Sequence, residues 1–178
     1  MNHQLPLYIG IEPLSSNDRI EQFLAMCGLP VSDLSSSESL RLFGYRSGSE
    51  PLGVVGLELY PPFALLRSLA VAPEQRGGGL GRTLVAFAET QAAAQGVMSL
   101  FLLTTSAAPF FAKLGYREAS RATAPASIRA TAQFSGLCPS SSAFMVKHLE
   151  CCENGRKKIP PPRVEGPATG EDRGEISR

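Results

Sequence analysis

The sequence predicts an α/β (α+β) domain, a central mixed, mostly antiparallel sheet flanked by helices. Three observations predict it. Residues 40–71 hold three strand-like apolar runs separated by short turn signals, as in an antiparallel meander. Residues 63–104 then read strand, glycine-rich loop, helix, strand, a passage that supplies parallel pairing inside the same sheet. Further short strand and helix signals follow as far as residue 149.

Taken in order, Leu5–Ile11 is a short apolar strand. Asn17–Cys27 places Ile20, Phe23, Leu24 and Cys27 at helical spacing, and Gly28-Leu29-Pro30 stops that helix. Cys27 reads as a small core residue on its apolar face. A Ser-rich stretch leads to strands Leu40–Arg46, Leu52–Tyr60 and Phe63–Val71, joined through Ser47-Gly48-Ser49-Glu50 and Pro61-Pro62. From Val71 the chain runs through Ala72-Pro73-Glu74-Gln75 into Arg76-Gly77-Gly78-Gly79-Leu80-Gly81. A helix follows over Arg82–Gln95 and closes at Gly96. Val97–Thr104 is a strand, Pro109–Leu114 a short helix ended by Gly115, and Tyr116–Ser120 another strand. Pro125 suits the first turn of a helix through about Gln133, and Ala143–Leu149 is the last strand.

The 178 residues support one domain with a sizeable core, assigned to residues 1–150. Residues 151–178 contain Ile159-Pro160-Pro161-Pro162, scattered glycines and charges of both signs, and almost no large apolar side chains. Such a segment buries too little surface to offset its ordering entropy and reads as a disordered tail. The body carries 11 basic and 11 acidic residues, so it offers no electrostatic footprint for a nucleic acid or an anionic membrane. No apolar run approaches the roughly 18 residues of a membrane span, and Met1–Leu5 lacks the basic-then-apolar pattern of a secretory signal. Cys27, Cys138, Cys151 and Cys152 lack the spacing of a disulfide framework or zinc site, and His3 and His148 add no metal centre. The chain reads as cytoplasmic, reduced, soluble and metal-free.

The loop at residues 76–82 carries the chemistry. Four glycines in five positions at a helix start let backbone N–H groups approach an anion, which the helix dipole also favours. Arg76 and Arg82 flank the loop and can add charge-assisted contacts. A merely tight turn is the alternative, but it needs one or two glycines rather than four. A Walker loop would need glycine where Arg76 stands and lysine where Arg82 stands. The dinucleotide fingerprint would need glycine at Arg82, and its strand would not end a meander.

What remains is Arg/Gln-x-x-Gly-x-Gly/Ala after a strand, matched by Arg76, Gly79 and Gly81. With Leu69-Ala70-Val71-Ala72-Pro73 before it and Phe110-Phe111-Ala112-Lys113-Leu114-Gly115-Tyr116 after it, the chain resembles the GNAT acetyltransferase superfamily. The resemblance implies that this loop cradles the pyrophosphate of coenzyme A. It implies too that the strand ending at Val71 pairs with pantetheine and splays from its parallel neighbour, the acetyl thioester lying in the opening. Leu69, Ala70 and Val71 then lie on the pantetheine side, with Phe111 also at the cofactor. Arg76, Gly77, Gly78, Gly79, Leu80, Gly81 and Arg82 lie on the pyrophosphate side.

More narrowly, Gly28-Leu29-Pro30-Val31-Ser32-Asp33-Leu34, Leu65-Leu66-Arg67-Ser68-Leu69, Leu102-Leu103-Thr104-Thr105, Thr131-Ala132-Gln133-Phe134 and Leu137-Cys138-Pro139 resemble the arsenic-resistance N-acetyltransferases. These are similar in turn to the acetyltransferase domain of N-acetylglutamate synthases. The resemblance implies an acetyl-coenzyme A-dependent N-acetyltransferase acting on a small amine, an amino acid or an amino-acid-like arsenical. Relatives are commonly homodimers.

Acetyl transfer needs a neutral amine, a path for its proton, and a donor for the oxyanion. The backbone N–H of Leu69 or Ala70 is the candidate donor. The glutamate that many relatives carry early in the strand ending at Val71 is absent, since that region is Phe63-Ala64-Leu65-Leu66. Glu58 is the candidate base, flanked by apolar residues that would raise its pKa; its alternation with Leu57 and Leu59 equally allows a solvated face. Phe111 stands where relatives place a tyrosine acid, and Tyr116 reads as a packing residue. For the acceptor, Asp33 could hold an ammonium group or merely cap a loop. Arg67 could recognise a carboxylate or lie on the outer face. Arg129, Thr131 and Gln133 lie where a carboxylate or oxyanion could be read. Cys138 and the Cys151-Cys152 pair are the thiols to weigh for arsenic.

Overall fold

The computed structural model describes residues 10–149. In chain order these are β1 (Ile11–Leu14), α1 (Asp18–Met26), β2 (Leu40–Ser47), β3 (Glu50–Tyr60) and β4 (Phe63–Val71). Helix α2 (Leu80–Ala94), β5 (Ser99–Thr104), α3 (Ala108–Lys113), β6 (Arg117–Glu118), α4 (Ala126–Arg129) and β7 (Ala143–His148) complete it. The seven strands form one sheet in the order β1-β2-β3-β4-β5-β7-β6. Every pairing is antiparallel except β4 with β5, which are parallel as a crossover through α2 requires.

The sheet is covered on both faces. On one, Val55, Leu57, Ala64, Leu66, Leu100 and Leu102 pack against Leu84, Val85, Ala88 and Ala92 of α2. Such a two-sided cover explains why β4 reads as a near-continuous apolar run rather than an alternating one. Helix α2 sits close on β3, where a side chain at Gly53 would meet Leu84 Cδ1 at 2.8 Å and Leu80 Cδ2 at 3.0 Å. On the opposite face, α1 buries Ile20 and Leu24 against Leu42, Val54 and Ala70, and α4 buries Ile128 against Leu65, Phe101 and Phe144. Asn17 caps α1 through Oδ1, which accepts from the Ile20 amide at 3.1 Å.

One irregularity bears on everything that follows. Val54 pairs with Ala70 but Gly56 pairs with Arg67, so β4 carries one residue more than β3 across this interval. Ser68 takes up that extra residue in the left-handed region, with φ 53°. A bulge reverses the facing of every residue beyond it. Leu69 and Val71 therefore pack toward α2 with Leu66, whereas Leu65, Arg67 and Ala70 look to the α1–α4 face.

Several expected elements differ in extent. The first strand runs over Ile11–Leu14 rather than Leu5–Ile11, because its antiparallel partners are Leu42–Tyr45; residues 5–9 lie outside the described residues. Expected strand Tyr116–Ser120 shortens to Arg117–Glu118, the only two residues that register with β7. The expected helix from Pro125 to about Gln133 ends at Arg129, and Pro125 itself caps it in extended backbone with ψ 151°. Thr131 ends the run: its Oγ1 donates to Ile128 O at 2.8 Å and accepts from the Phe134 amide at 3.3 Å. A π-turn over Gln133–Leu137 follows. The expected tail, Cys151-Cys152 and His3 lie outside the described residues.

Candidate active site

Two features meet at the end of β4. The first is an opening in the sheet. Strands β4 and β5 are paired only from Phe63 with Ser99 to Leu66 with Leu102. Beyond Leu66 no strand among the described residues pairs with the edge of β4 turned toward β5, while β5 stays paired with β7 as far as Thr104. An unpaired strand edge inside a sheet is a place where another extended backbone can add.

The second feature is the glycine loop. Gly77 and Gly79 have φ +83° and +87°, conformations that only glycine adopts without strain. Gly78 differs: its φ is not in that region, and an added Cβ would meet only Gln75 O, at 3.6 Å. Nothing inside the chain demands glycine there, so what glycine supplies at 78 is room. Helix α2 starts at Gly79 with no side-chain cap and no acidic residue in its first turn. Its leading N–H groups are therefore available to an anion, with the positive end of the dipole behind them. Arg76 anchors the loop by donating Nε to Val71 O at 3.1 Å, which ties it to the end of β4. Arg82 is exposed one turn in. Leu80 and Gly81 face inward, the latter near Val71 and Phe110. Phe111 is buried in the core, edge-to-face with Phe110 and Tyr116.

On the α1–α4 face, beside the opening, lies a buried ionic cluster. Arg67 is 5% exposed and Glu58 2%, so neither occupies the solvated face that alternation allowed. Arg67 Nη1 donates to Asp33 Oδ2 and to Glu58 Oε1, both at 2.5 Å, and Nη2 donates to Asp33 Oδ1 at 2.7 Å. The other Glu58 oxygen accepts from Tyr60 OH at 3.0 Å. Three elements are thus joined through one guanidinium: the segment after α1, β3 and β4. Burial works against ionisation of Asp33, but the Arg67 hydrogen bonds and charge outweigh it and hold the carboxyl below its usual range. For Arg67, burial opposes the charge and the two carboxylates restore it, leaving its pKa raised. Burial, then the Glu58 charge, pushes the Tyr60 phenol up.

The late segment closes on the same cluster. Gln133 is 6% exposed; its Oε1 accepts from Cys138 Sγ at 3.2 Å and its Nε2 has no hydrogen-bond partner of normal geometry, although it helps to lower Asp33. The Cys138 thiol is pushed up, by burial first, with Arg67 and Arg121 pulling the other way. Thr131 is spent on the local turn, and Arg129 is exposed. Arg121 was given by no pattern in the sequence. It lies 4.3 Å over the Phe134 ring and donates Nη2 to Phe134 O at 2.8 Å. On the other face, Tyr116 OH is buried beside Glu89, and burial followed by that charge raises its pKa strongly.

Residues 38–118 match the family described as "Acetyltransferase (GNAT) domain". The molecule has the GNAT fold. Its sheet, with the parallel β4–β5 pair, superimposes on the N-acetylglutamate synthase of Neisseria gonorrhoeae, solved with coenzyme A and N-acetyl-glutamate. That match has TM-score 0.64 and 22% identity, over 79% of this chain and 35% of that one. Tetrahymena GCN5 matches with TM-score 0.62 at 14% identity, over 79% of this chain and 96% of that one. At these identities the likeness is one of fold. In sequence, the amino-acid acetyltransferase of Pseudomonas fluorescens (strain Pf0-1) is 46% identical over 61 residues, which is 34% of this chain and 14% of that protein. That stretch is therefore similar to a part of an amino-acid acetyltransferase, and the chain matches only a small part of that protein's length. Among the described residues no helix is long and apolar enough to cross a membrane, and no group of three metal-ligating side chains occurs.

Proposed function

We propose that the chain transfers the acetyl group of acetyl-coenzyme A to the amine of a small molecule, an amino acid or an amino-acid-like arsenical. The observation that carries this reading is the opening between β4 and β5 beside an uncapped glycine loop. An extended pantetheine can add to the free edge of Leu69–Val71 while the pyrophosphate sits on the loop from Arg76 to Arg82. The space at Gly78 and the absence of any acidic group in the first turn of α2 fit an anionic ligand at that point. Acetyl-coenzyme A supplies an activated acyl carbon. The amine nitrogen bonds to that carbon, the carbon–sulfur bond breaks, and the sulfur leaves as a thiolate that takes a proton from solvent. The Leu69 or Ala70 N–H polarises the carbonyl oxygen. Glu58 takes the amine proton, directly or by way of the Tyr60 hydroxyl that donates to its Oε2.

A small zwitterionic acceptor is favoured by the ion cluster on the acceptor side and by the relatives that act on amino acids. Activity like that of N-acetylglutamate synthase is one form of this reading. Phe111 favours a second: with a buried phenylalanine where a tyrosine acid would stand, the chain would bind acyl-coenzyme A without turnover. Thiol release from acetyl-coenzyme A, measured with a panel of amines that includes glutamate and an arsenical amino acid, separates them. Release with an amino acid supports transfer. Tight binding of acetyl-coenzyme A with release on no amine supports the binding module.

A further inference from the structure

Arg67 is divided unequally between its two carboxylates. Asp33 takes the fork of the guanidinium, accepting from Nη1 at 2.5 Å and from Nη2 at 2.7 Å. Glu58 shares Nη1 with it, at 2.5 Å, and its other oxygen accepts from Tyr60 OH at 3.0 Å. A guanidinium grips a carboxylate best through two parallel N–H bonds, so a lone carboxylate beside Arg67 would take that fork for itself. Asp33 keeps the fork away from Glu58. All three side chains are buried, with Glu58 2%, Arg67 5% and Asp33 8% exposed, so water does little to screen how the cation is shared. Two carboxylates against one guanidinium leave the group at −1. Burial opposes the charge on Asp33, yet the Arg67 hydrogen bonds hold that carboxyl below its usual range. A proton entering the group therefore settles on Glu58, the carboxylate with the smaller share of the cation. Without the charge of Asp33 the fork is free to turn wholly onto Glu58, which neutralises it and weakens it as a base.

Resting on the acetyl-transfer reading and on Glu58 as its base, we propose that Asp33 is a positioning residue: it engages the Arg67 fork and so leaves Glu58 able to take the amine proton. It acts through Arg67 and Glu58 and does not hold the acceptor's ammonium group.

The test is a double-mutant cycle on the full chain, read by thiol release from acetyl-coenzyme A with the best amine of the panel, and with coenzyme A binding by calorimetry as the control for folding. Asp33→Asn is expected to lower kcat by about tenfold, because the base weakens, while KM for the amine stays within about twofold. In the Glu58→Gln background the same change is expected to lower kcat no further, since the group it acts on is gone. Asp33→Glu, which keeps the charge, restores part of the kcat lost in Asp33→Asn. If Asp33→Asn fails to fold, Asp33→Ser, which removes the charge and leaves room for a water, takes its place beside Asp33→Glu in the same cycle. A raised KM with kcat intact overturns the proposal and makes Asp33 a contact of the amine. Full kcat in the neutral variants overturns it too, as does an equal proportional loss with and without Glu58→Gln, the mark of a merely structural role. Full kcat in Glu58→Gln overturns the proposal and leaves acetyl transfer standing. Wild-type protein that binds acetyl-coenzyme A but releases thiol with no amine overturns both.

Discussion

At the scale of single residues, Arg67 decides most, because it compensates two buried carboxylates at once. Arg67→Met removes that compensation and leaves Asp33 and Glu58 facing one another in a dry site. The expected cost is about 3–5 kcal/mol in denaturant unfolding, the range for breaking a buried pair from one side. A loss below about 1 kcal/mol would mean that water reaches the cluster. Glu58 is tested differently. As the proton acceptor, its change to Gln should lower kcat by roughly 10²–10⁴. Full kcat would leave Glu58 only its ion-pair role. None of these pairings was legible in the sequence: Asp33 and Arg67 stand 34 positions apart, and Arg121 meets Phe134 from 13 positions away. Alternation within a single strand identifies a face, but it cannot say which charged group on another element will be found there.

At the scale of elements, the loop and the bulge contrast. The loop was readable because glycine density is a local property, and two of its glycines have the left-handed backbone that such density implies. The bulge was not readable, because Leu66-Arg67-Ser68-Leu69 contains no glycine or proline to mark it, and Ser68 takes φ 53° all the same. It matters equally, since it turns Leu69 and Val71 toward the α2 face. The meander was readable from its turns, whereas the late helix broke at Thr131 for want of any breaker that composition reveals. Within the loop the glycines separate into two kinds. Gly79→Ala must hold a β-carbon at φ +87° and should cost about 1–2 kcal/mol of stability. Gly78→Ala has only an ordinary contact to make, so its melting temperature should stay within about a degree or two of wild type. Its affinity for coenzyme A should nonetheless fall by about tenfold, because the methyl group occupies the space left for the ligand. Unchanged affinity in both variants would remove the pyrophosphate from this loop.

At the scale of the whole molecule, the ionisable groups set a stability window with a different cause at each end. Asp33 has its folded pKa below the ordinary 3.8, so its contribution is complete above that value. It is lost as pH falls through the lower folded value, because the unfolded chain binds the proton first. Tyr60, Tyr116 and Cys138 shift the other way, each raised by burial from ordinary values of 10.0, 10.0 and 9.0. Their contributions are complete below those values and vanish as pH rises beyond them, because the unfolded chain ionises while the folded one cannot. Stability should therefore be flat from about pH 5 to 8 and fall on both sides, for these two separable reasons. Asp33→Asn should lower the plateau by about 1.5–3 kcal/mol, the worth of a charged hydrogen bond, and flatten the acid side alone. Tyr116→Phe removes a buried hydroxyl beside Glu89, so it should flatten the alkaline side while leaving the acid side as it is. Urea unfolding of the three proteins across pH reads both effects in one series. An alkaline fall of undiminished slope in Tyr116→Phe would show that the loss begins elsewhere in the sheet.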